Sequence, residues 1–318
     1  MSQPLLDVDG LQTHFFTREG RTRAVDGVSF QVREGEIFGI AGESGCGKST
    51  LAHSVLRLLP SSGRIVSGRI DFRGLNLVAA TESQLGKIRW REISIVFQAA
   101  MNALNPVRRV GEQISEVIVY HEKTTRAEAR SRTKKLLEMV GLDPARMNNY
   151  PHEFSGGMRQ RIVIAMAISC QPDLLIADEP ATALDVLVQA QILDLLTVLE
   201  RKMKLSMILI THDLSVIKEI SERVAIMYAG KIAESAPVNS IFREPRHPYT
   251  QALIDALPQI RGGRRSLKSL PGMPPNLIEP PGGCRFHPRC PFVMDKCRVH
   301  EPPLTECGID HVAACFLL

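Results

Sequence analysis

The chain has 318 residues, 44% of them hydrophobic and 23% charged, and a formal net charge of +5. That balance belongs to a globular protein of one large domain, or of one domain with an appendage. No apolar run reaches the ~18 residues that cross a bilayer, and the opening MSQPLLDVDG lacks the charged and apolar regions of a signal peptide. These observations argue against a membrane-spanning or secreted chain and predict a cytoplasmic one.

Taken in chain order, short apolar runs ended by polar residues predict buried strands at 36–42 (EIFGIAG), 93–98 (ISIVFQ), 174–178 (LLIAD) and 207–212 (MILITH). Apolar faces at helical spacing predict helices at 48–59, 156–169 and 185–202. The alternation of the two argues for a parallel α/β sheet. Residues 99–155 carry helical patterns and no clear strand, which predicts a helical subdomain over about 99–160. From Pro258 onward Pro and Gly dominate and periodicity vanishes, so the boundary is placed there, with a main domain over 1–258 and an extension over 259–318. The extension is too short to build much core alone. The densest basic run, RGGRRSLK (261–268), sits in a Gly-rich stretch and reads as a solvated linker, so no nucleic acid is expected as a partner.

Three motifs carry chemistry. GESGCGKS, Gly42 to Ser49, follows a predicted strand and opens a predicted helix, the context of a phosphate-binding loop. Its backbone N–H groups can wrap a phosphate chain at a helix N-terminus. Gly42, Glu43, Ser44, Gly45, Cys46, Gly47, Lys48, Ser49 and Thr50 are the expected nucleotide contacts. Lys48 can reach the β- and γ-phosphates, and Ser49 can ligate Mg²⁺. Cys46, at a variable position, reads as a tolerated small residue rather than a redox group. LLIADEP, Leu174 to Pro180, delivers two acids to the C-terminal edge of a strand. Asp178 suits Mg²⁺ held through water, and Glu179 suits polarising an attacking water; alone, the pair could equally cap the next helix. FSGGMRQR, Phe154 to Arg161, places Ser155, Gly156 and Gly157 at the start of an apolar helix. That is either a second anion site or an ordinary N-cap.

The P-loop, SGG opening a helix, LLIADEP, TALD (182–185) and THD (211–213), in this order, resemble the ATPase subunit of an ABC transporter over about residues 5–258. The resemblance implies an α/β fold: a P-loop NTPase (RecA-like) core with an antiparallel β region and an α-helical subdomain, followed here by a small Cys-rich extension. It implies ATP and Mg²⁺ as cofactors. It also implies a head-to-tail pair of subunits in which each ATP lies between the P-loop of one and the SGG helix of the other. By position, Gln98 matches the glutamine that contacts Mg²⁺ and the catalytic water, His212 the histidine at the γ-phosphate, and Asp185 a dimer-contact aspartate. Phe15 (or Phe16) falls where an aromatic stacks on adenine, although a core aromatic would look the same. The implied catalytic set is Glu179, His212, Gln98 and Lys48. Phe154 and Met158 depart from the common LSGGQ signature. QAAMNALNP (98–106), ADEPATALDV and REPRHPYTQALIDALP (243–258) resemble the importers of oligopeptides, dipeptides and nickel. The partners implied are a second, related ATPase subunit, two membrane permease subunits near residues 99–106, and an extracytoplasmic solute-binding protein, with the chain on the cytoplasmic face of the inner membrane. A soluble ABC ATPase, or an importer of nickel or another small solute, is the alternative.

The tail holds five of the seven cysteines, and Cys284, Cys290, Cys297 and Cys315 are spaced C-x5-C-x6-C-x17-C. In a cytosolic chain such clusters read as metal ligands or redox groups rather than disulfides. Four thiolates suit zinc or an iron–sulfur cluster. Resemblance to peptide-importer ATPases points to [4Fe–4S], with zinc or free thiols as alternatives. Cys307 reads as a spare, and His287, His300 and His311 as surface residues.

Overall fold

The structure, a computed structural model, describes residues 3–98, 103–182, 184–257 and 272–318. The boundary at 258, the basic run 261–268 and the first four residues of the expected permease-facing segment, 99–102, lie outside the described residues. The chain divides into two compact units, one of Met1–Arg33, Ile37–Ala79 and Ile210–Leu318, the other of Glu34–Glu36 and Ala80–Leu209.

The first unit begins with β1 (Leu6–Thr17), β2 (Gly20–Val32), β3 (Ile37–Ala41), α1 (Lys48–Val55), β4 (Gly63–Phe72) and β5 (Leu75–Asn76). The second holds α2 (Glu82–Ile88), β6 (Ile93–Val96), α3 (Val110–Glu122), α4 (Arg126–Met139), α5 (Gly156–Ala167), β7 (Leu174–Asp178), α6 (Val186–Met203) and the start of β8 (Ser206–Thr211). The chain then returns to the first unit with α7 (Leu214–Ile220), β9 (Arg223–Tyr228), β10 (Lys231–Pro237), α8 (Val238–Arg243) and α9 (Pro248–Asp255). Beyond 271 follow α10 (Asp295–Val299), β11 (Thr305–Gly308) and β12 (His311–Ala313).

In the first unit an antiparallel sheet runs β2-β1-β4-β5, and a second row runs β11-β12-β10-β9-β3. Within that row β3 and β9 are parallel, with Ile40 opposite Ala225, while β9, β10, β12 and β11 pair antiparallel. Every residue of β3 is buried, as a strand covered on both faces requires. In the second unit β6, β7 and β8 are neighbours, and β6 and β7 run parallel with Val96 opposite Ala177. Three of its helices, α4 to α6, begin on local signals. Thr125 caps α4, Ser155 caps α5 and Asp185 caps α6, each accepting an N–H from its own first turn.

The expected helix over 48–59 ends sooner, at Val55, because Arg57 takes a left-handed φ of 51° and the Ser54 hydroxyl donates back to the Thr50 carbonyl at 2.6 Å. The described tail does not form a unit of its own. Residues 272–318 belong to the first unit, and β12 pairs with β10 through Glu234–Ala313 and Ser235–Val312.

Candidate functional site

In the first unit, β3 ends at Ala41 and releases the loop Gly42–Gly47 into α1. Two of its glycines are dictated by close backbone approach. A Cβ on Gly42 would lie 2.1 Å from the Met227 carbonyl oxygen, and one on Gly47 would lie 2.1 Å from that of Ala24. Both residues also have positive φ, 153° and 108°, which favours glycine. Gly47 sits at the N-cap of α1 with no side chain to accept its first N–H groups, so the helix presents donors and a positive dipole end toward an anion. A Cβ on Gly45 would meet nothing within 4 Å, so that part of the loop is open. Lys48 is buried, and its Nζ donates to the carbonyls of Gly42 at 2.8 Å and Glu43 at 3.0 Å. This donor set fits a phosphate chain. Ser49 and Thr50, half-buried, follow in α1. Cys46 is buried and its thiol is pushed up by burial, which keeps it protonated and unreactive. His212 follows β8, just before Asp213, which caps α7 through the Ser215 N–H at 2.8 Å. Phe15 lies half-buried on β1 opposite Thr22 and Gly63, and Phe16 is 45% exposed with the Arg64 guanidinium 5.9 Å from its ring centre.

In the second unit, β7 delivers the fully buried Asp178, and Glu179 follows with a φ of 47°. A non-glycine residue held in the left-handed region costs about 1–3 kcal/mol and persists where its surroundings over-determine it. Here they do. One Glu179 carboxylate oxygen accepts from Gln98 Nε2 at 2.9 Å and from Thr182 Oγ1 at 2.9 Å, and the Thr182 N–H donates to the Glu179 carbonyl at 3.2 Å. Gln98 thus meets Glu179 from just beyond the adjacent strand β6. Ser155 Oγ accepts the Met158 N–H at 3.4 Å, and α5 begins at Gly156. A Cβ on Gly157 would lie 2.5 Å from Val188 Cγ1, so this glycine lets α5 close on α6. Phe154, one of the two departures from the common signature, is buried under the Arg146 guanidinium, 4.3 Å from the ring centre.

Cys284, Cys290, Cys297 and Cys315 line one cavity of about 10 Å³ with Phe286, Phe292, Met294 and Phe316. Burial first, and then its three cysteine neighbours, push the Cys284 thiol up to about 11. Cys290 and Cys315 shift in the same direction, again chiefly through burial. Cys307 does not line the cavity; its thiol donates to the His311 carbonyl at 3.5 Å. Among the described residues no three metal-ligating side chains lie close enough to hold a metal ion. The cavity is lined by four thiols together with His247 and His287 and by no carboxylate, a donor set that suits a soft or borderline metal. His300 is exposed and His287 half-buried. His311 is not a surface residue. It is buried, and its Nε2 lies 2.7 Å from a carboxylate oxygen of the fully buried Glu234.

Two tail arginines escaped the reading of the sequence. Arg289 makes a bidentate ion pair with Glu43 of the loop, at 2.7 and 3.0 Å, and Arg285 bonds the carboxylate of Asp26 and the carbonyl of Ala229. Both are buried, and both stand in the GCRFHPRC run, so two arginines bracketed by cysteines were the available signal.

The family described as ABC transporter matches residues 25–182, and the family described as oligopeptide/dipeptide transporter, C-terminal region, matches residues 233–297. The chain is 50% identical over 316 residues to a probable peptide ABC transporter ATP-binding protein of Sinorhizobium fredii, across 98% of this chain and 94% of that one. It is 47% identical over 316 residues to an oligopeptide transport ATP-binding protein of Bacillus subtilis, across 98% and 96%. Among solved structures, a dimeric ATP-binding cassette in a post-hydrolysis state with ADP and phosphate aligns with a TM-score of 0.66 and 26% identity, covering 73% of this chain and 98% of that one.

Proposed function

This chain belongs to the ABC transporter ATP-binding subunits of the oligopeptide and dipeptide importers, and from that premise we propose how its residues divide the work. It is an ATPase that powers a peptide importer by ATP-driven dimerisation. The observation that carries the reading is identity of about half over nearly the whole chain, tail included. The Gly42–Thr50 loop holds the phosphates, with Lys48 turning from its two loop carbonyls to the β- and γ-phosphates. Phe15 supports the base. Ser49, Gln98 and Asp178 would hold Mg²⁺, which when bound neutralises charge on the phosphates. Glu179, its carboxylate fixed by Gln98 and Thr182, orients the attacking water and takes its proton. His212 contacts the γ-phosphate. Ser155, Gly156 and Gly157 of one subunit complete the site of the other, and closure does the conformational work through the higher affinity of the closed state for ATP.

The second subunit is a related but different chain, and the pair docks on two permease subunits at the cytoplasmic face of the membrane, with a solute-binding protein on the far side. The segment after Gln98 faces the permease. Co-purification with integral membrane subunits, and ATP-dependent peptide uptake by the reconstituted complex, test the assignment; ATP hydrolysis without either supports a soluble ATPase instead. Gly156→Asp sets a carboxylate at the start of α5. In the complex it is expected to leave nucleotide binding at the P-loop intact and to block ATP-driven closure. Closure at the native level, followed by crosslinking, would remove the split site.

The extension over 259–318 is a small Cys-rich appendage, and its four cavity thiols would hold a [4Fe–4S] cluster, with zinc as the alternative. Such a centre supplies folding energy to a segment with little core, so its role is that of a structural clip. Cys290→Ser is expected to abolish bound iron and acid-labile sulfide in protein prepared without oxygen, while Cys307→Ser keeps both. Stoichiometric zinc with no iron refutes the cluster and leaves the clip.

A further inference from the structure

The loop residue Glu43 is held from three directions within the first unit. Its backbone carbonyl accepts from Lys48 Nζ at 3.0 Å. Its backbone N–H donates to the Tyr249 hydroxyl at 2.9 Å. Its carboxylate receives both arms of Arg289, at 2.7 and 3.0 Å. Glu43 is therefore a junction. One side is the lysine that answers the phosphates, and the other is the tail. Arg289 is in turn fixed by the cysteine loop. It closes a 3-10 turn over His287–Arg289, between Cys284 and Cys290, with its N–H on the Phe286 carbonyl at 3.0 Å. The Cys284 N–H donates to the Cys297 carbonyl at 2.8 Å, and the His287 N–H returns to the Cys284 carbonyl at 2.9 Å. Phe286, 2% exposed, packs its ring 5.2 Å from Tyr228 and 5.4 Å from Tyr249, the same tyrosine that holds the Glu43 N–H. Arg289 also donates to the Tyr228 hydroxyl at 3.3 Å. Burial pushes both tyrosines upward, so each stays a neutral phenol.

We propose that Arg289 is a positioning residue for the nucleotide site: through its bidentate pair with Glu43, the cysteine-lined loop sets the conformation of the P-loop before ATP arrives. A planar guanidinium fixes both distance and orientation of a carboxylate, which a lysine cannot do. A loop held in its binding shape gives up less freedom when ligand binds, so the pair acts on affinity rather than on the chemical step. Arg289 touches neither phosphate nor water in this role, and the inference rests on the assignment of Gly42–Ser49 as the ATP loop.

The test uses the full chain with its transporter partners, titrated with a fluorescent ATP analogue in Mg²⁺, alongside steady-state hydrolysis. Arg289→Gln is expected to weaken nucleotide binding and raise KM by about tenfold, the loss of roughly one charge-assisted hydrogen bond, with kcat at saturation little changed. Arg289→Lys should recover only part of the loss. Glu43→Gln should weaken nucleotide binding at least as much as Arg289→Gln, and adding Arg289→Gln to it should weaken binding no further, because one interaction can be lost only once. Amide hydrogen exchange at residues 43–48 should quicken in each variant while bound metal per chain stays native, which separates a loosened P-loop from a damaged tail. Native affinity in Arg289→Gln, or losses that multiply in the double variant, overturns the proposal. If Arg289→Gln does not fold, Arg289→Lys decides alone: native affinity and native exchange in it overturn the proposal, and weakened affinity with faster exchange upholds it. A wild-type chain that binds no nucleotide would instead remove the ATP-loop assignment beneath it.

Discussion

Glu179→Gln is expected to keep ATP binding and to lower steady-state hydrolysis in the assembled complex by about 10²- to 10⁴-fold, the usual range for loss of a general base. The geometry explains why the two effects separate. Gln98 and Thr182 donate to the same Glu179 oxygen. A glutamine amide offers one carbonyl oxygen that can accept both bonds, so the side chain is held as before. What it lacks is the other, basic oxygen that would take the proton of water. The left-handed backbone at Glu179, φ 47°, is unchanged by so conservative a swap. With hydrolysis blocked and binding intact, the closed dimer should accumulate with ATP trapped in it, seen as ATP-dependent association on gel filtration. Hydrolysis at the native rate in this variant would strip Glu179 of its role.

Lys48→Ala should act earlier, on binding. The lysine is 5% exposed, and its ammonium already lies on two loop carbonyls at 2.8 and 3.0 Å. Removing it withdraws the fixed counter-charge of the phosphates. Hydrogen bonds to charged groups are worth ~1.5–3 kcal/mol, so nucleotide affinity should fall by about 10- to 100-fold. It also leaves the carbonyls of Gly42 and Glu43 without this donor, which should lower the thermal midpoint of the nucleotide-free chain. Calorimetric titration reads the first effect and thermal unfolding the second. Unaltered nucleotide affinity would end the assignment of this loop.

Much of the fold is written locally. The apolar runs at 174–178 and 207–212 became β7 and β8 to within a residue, because strands covered on both faces need unbroken apolar stretches. The helices over 156–167 and 186–203 follow from apolar faces at helical spacing, and the structure adds Ser155 and Asp185 as their polar caps. The glycine-lysine loop was legible for the same reason: its conformation and its ligand chemistry lie in consecutive residues. The pairing of β1 with β2 and β4 was not, since its register slips at Leu11 and again near Thr13, and bulges leave no simple alternation to read. His311 was expected at the surface and is buried, because its partner Glu234 stands 77 positions away. Arg289 and Glu43 are separated by 246 positions, and nothing in either neighbourhood names the other. Charge pairs formed by the return of a distant segment are invisible to periodicity, which sees one turn or one strand at a time.

The hairpin β11–β12 finishes an edge that β10 begins. In vectorial synthesis β10 leaves the ribosome when its neighbour on that side, about 75 residues downstream, does not yet exist. During that interval its unpaired N–H and C=O groups form an open template for any passing strand. The nascent chain therefore has a window of vulnerability whose length is set by translation of the cysteine-bearing segment. The short hairpin Thr305–Ala313 is what closes the growing sheet against foreign addition.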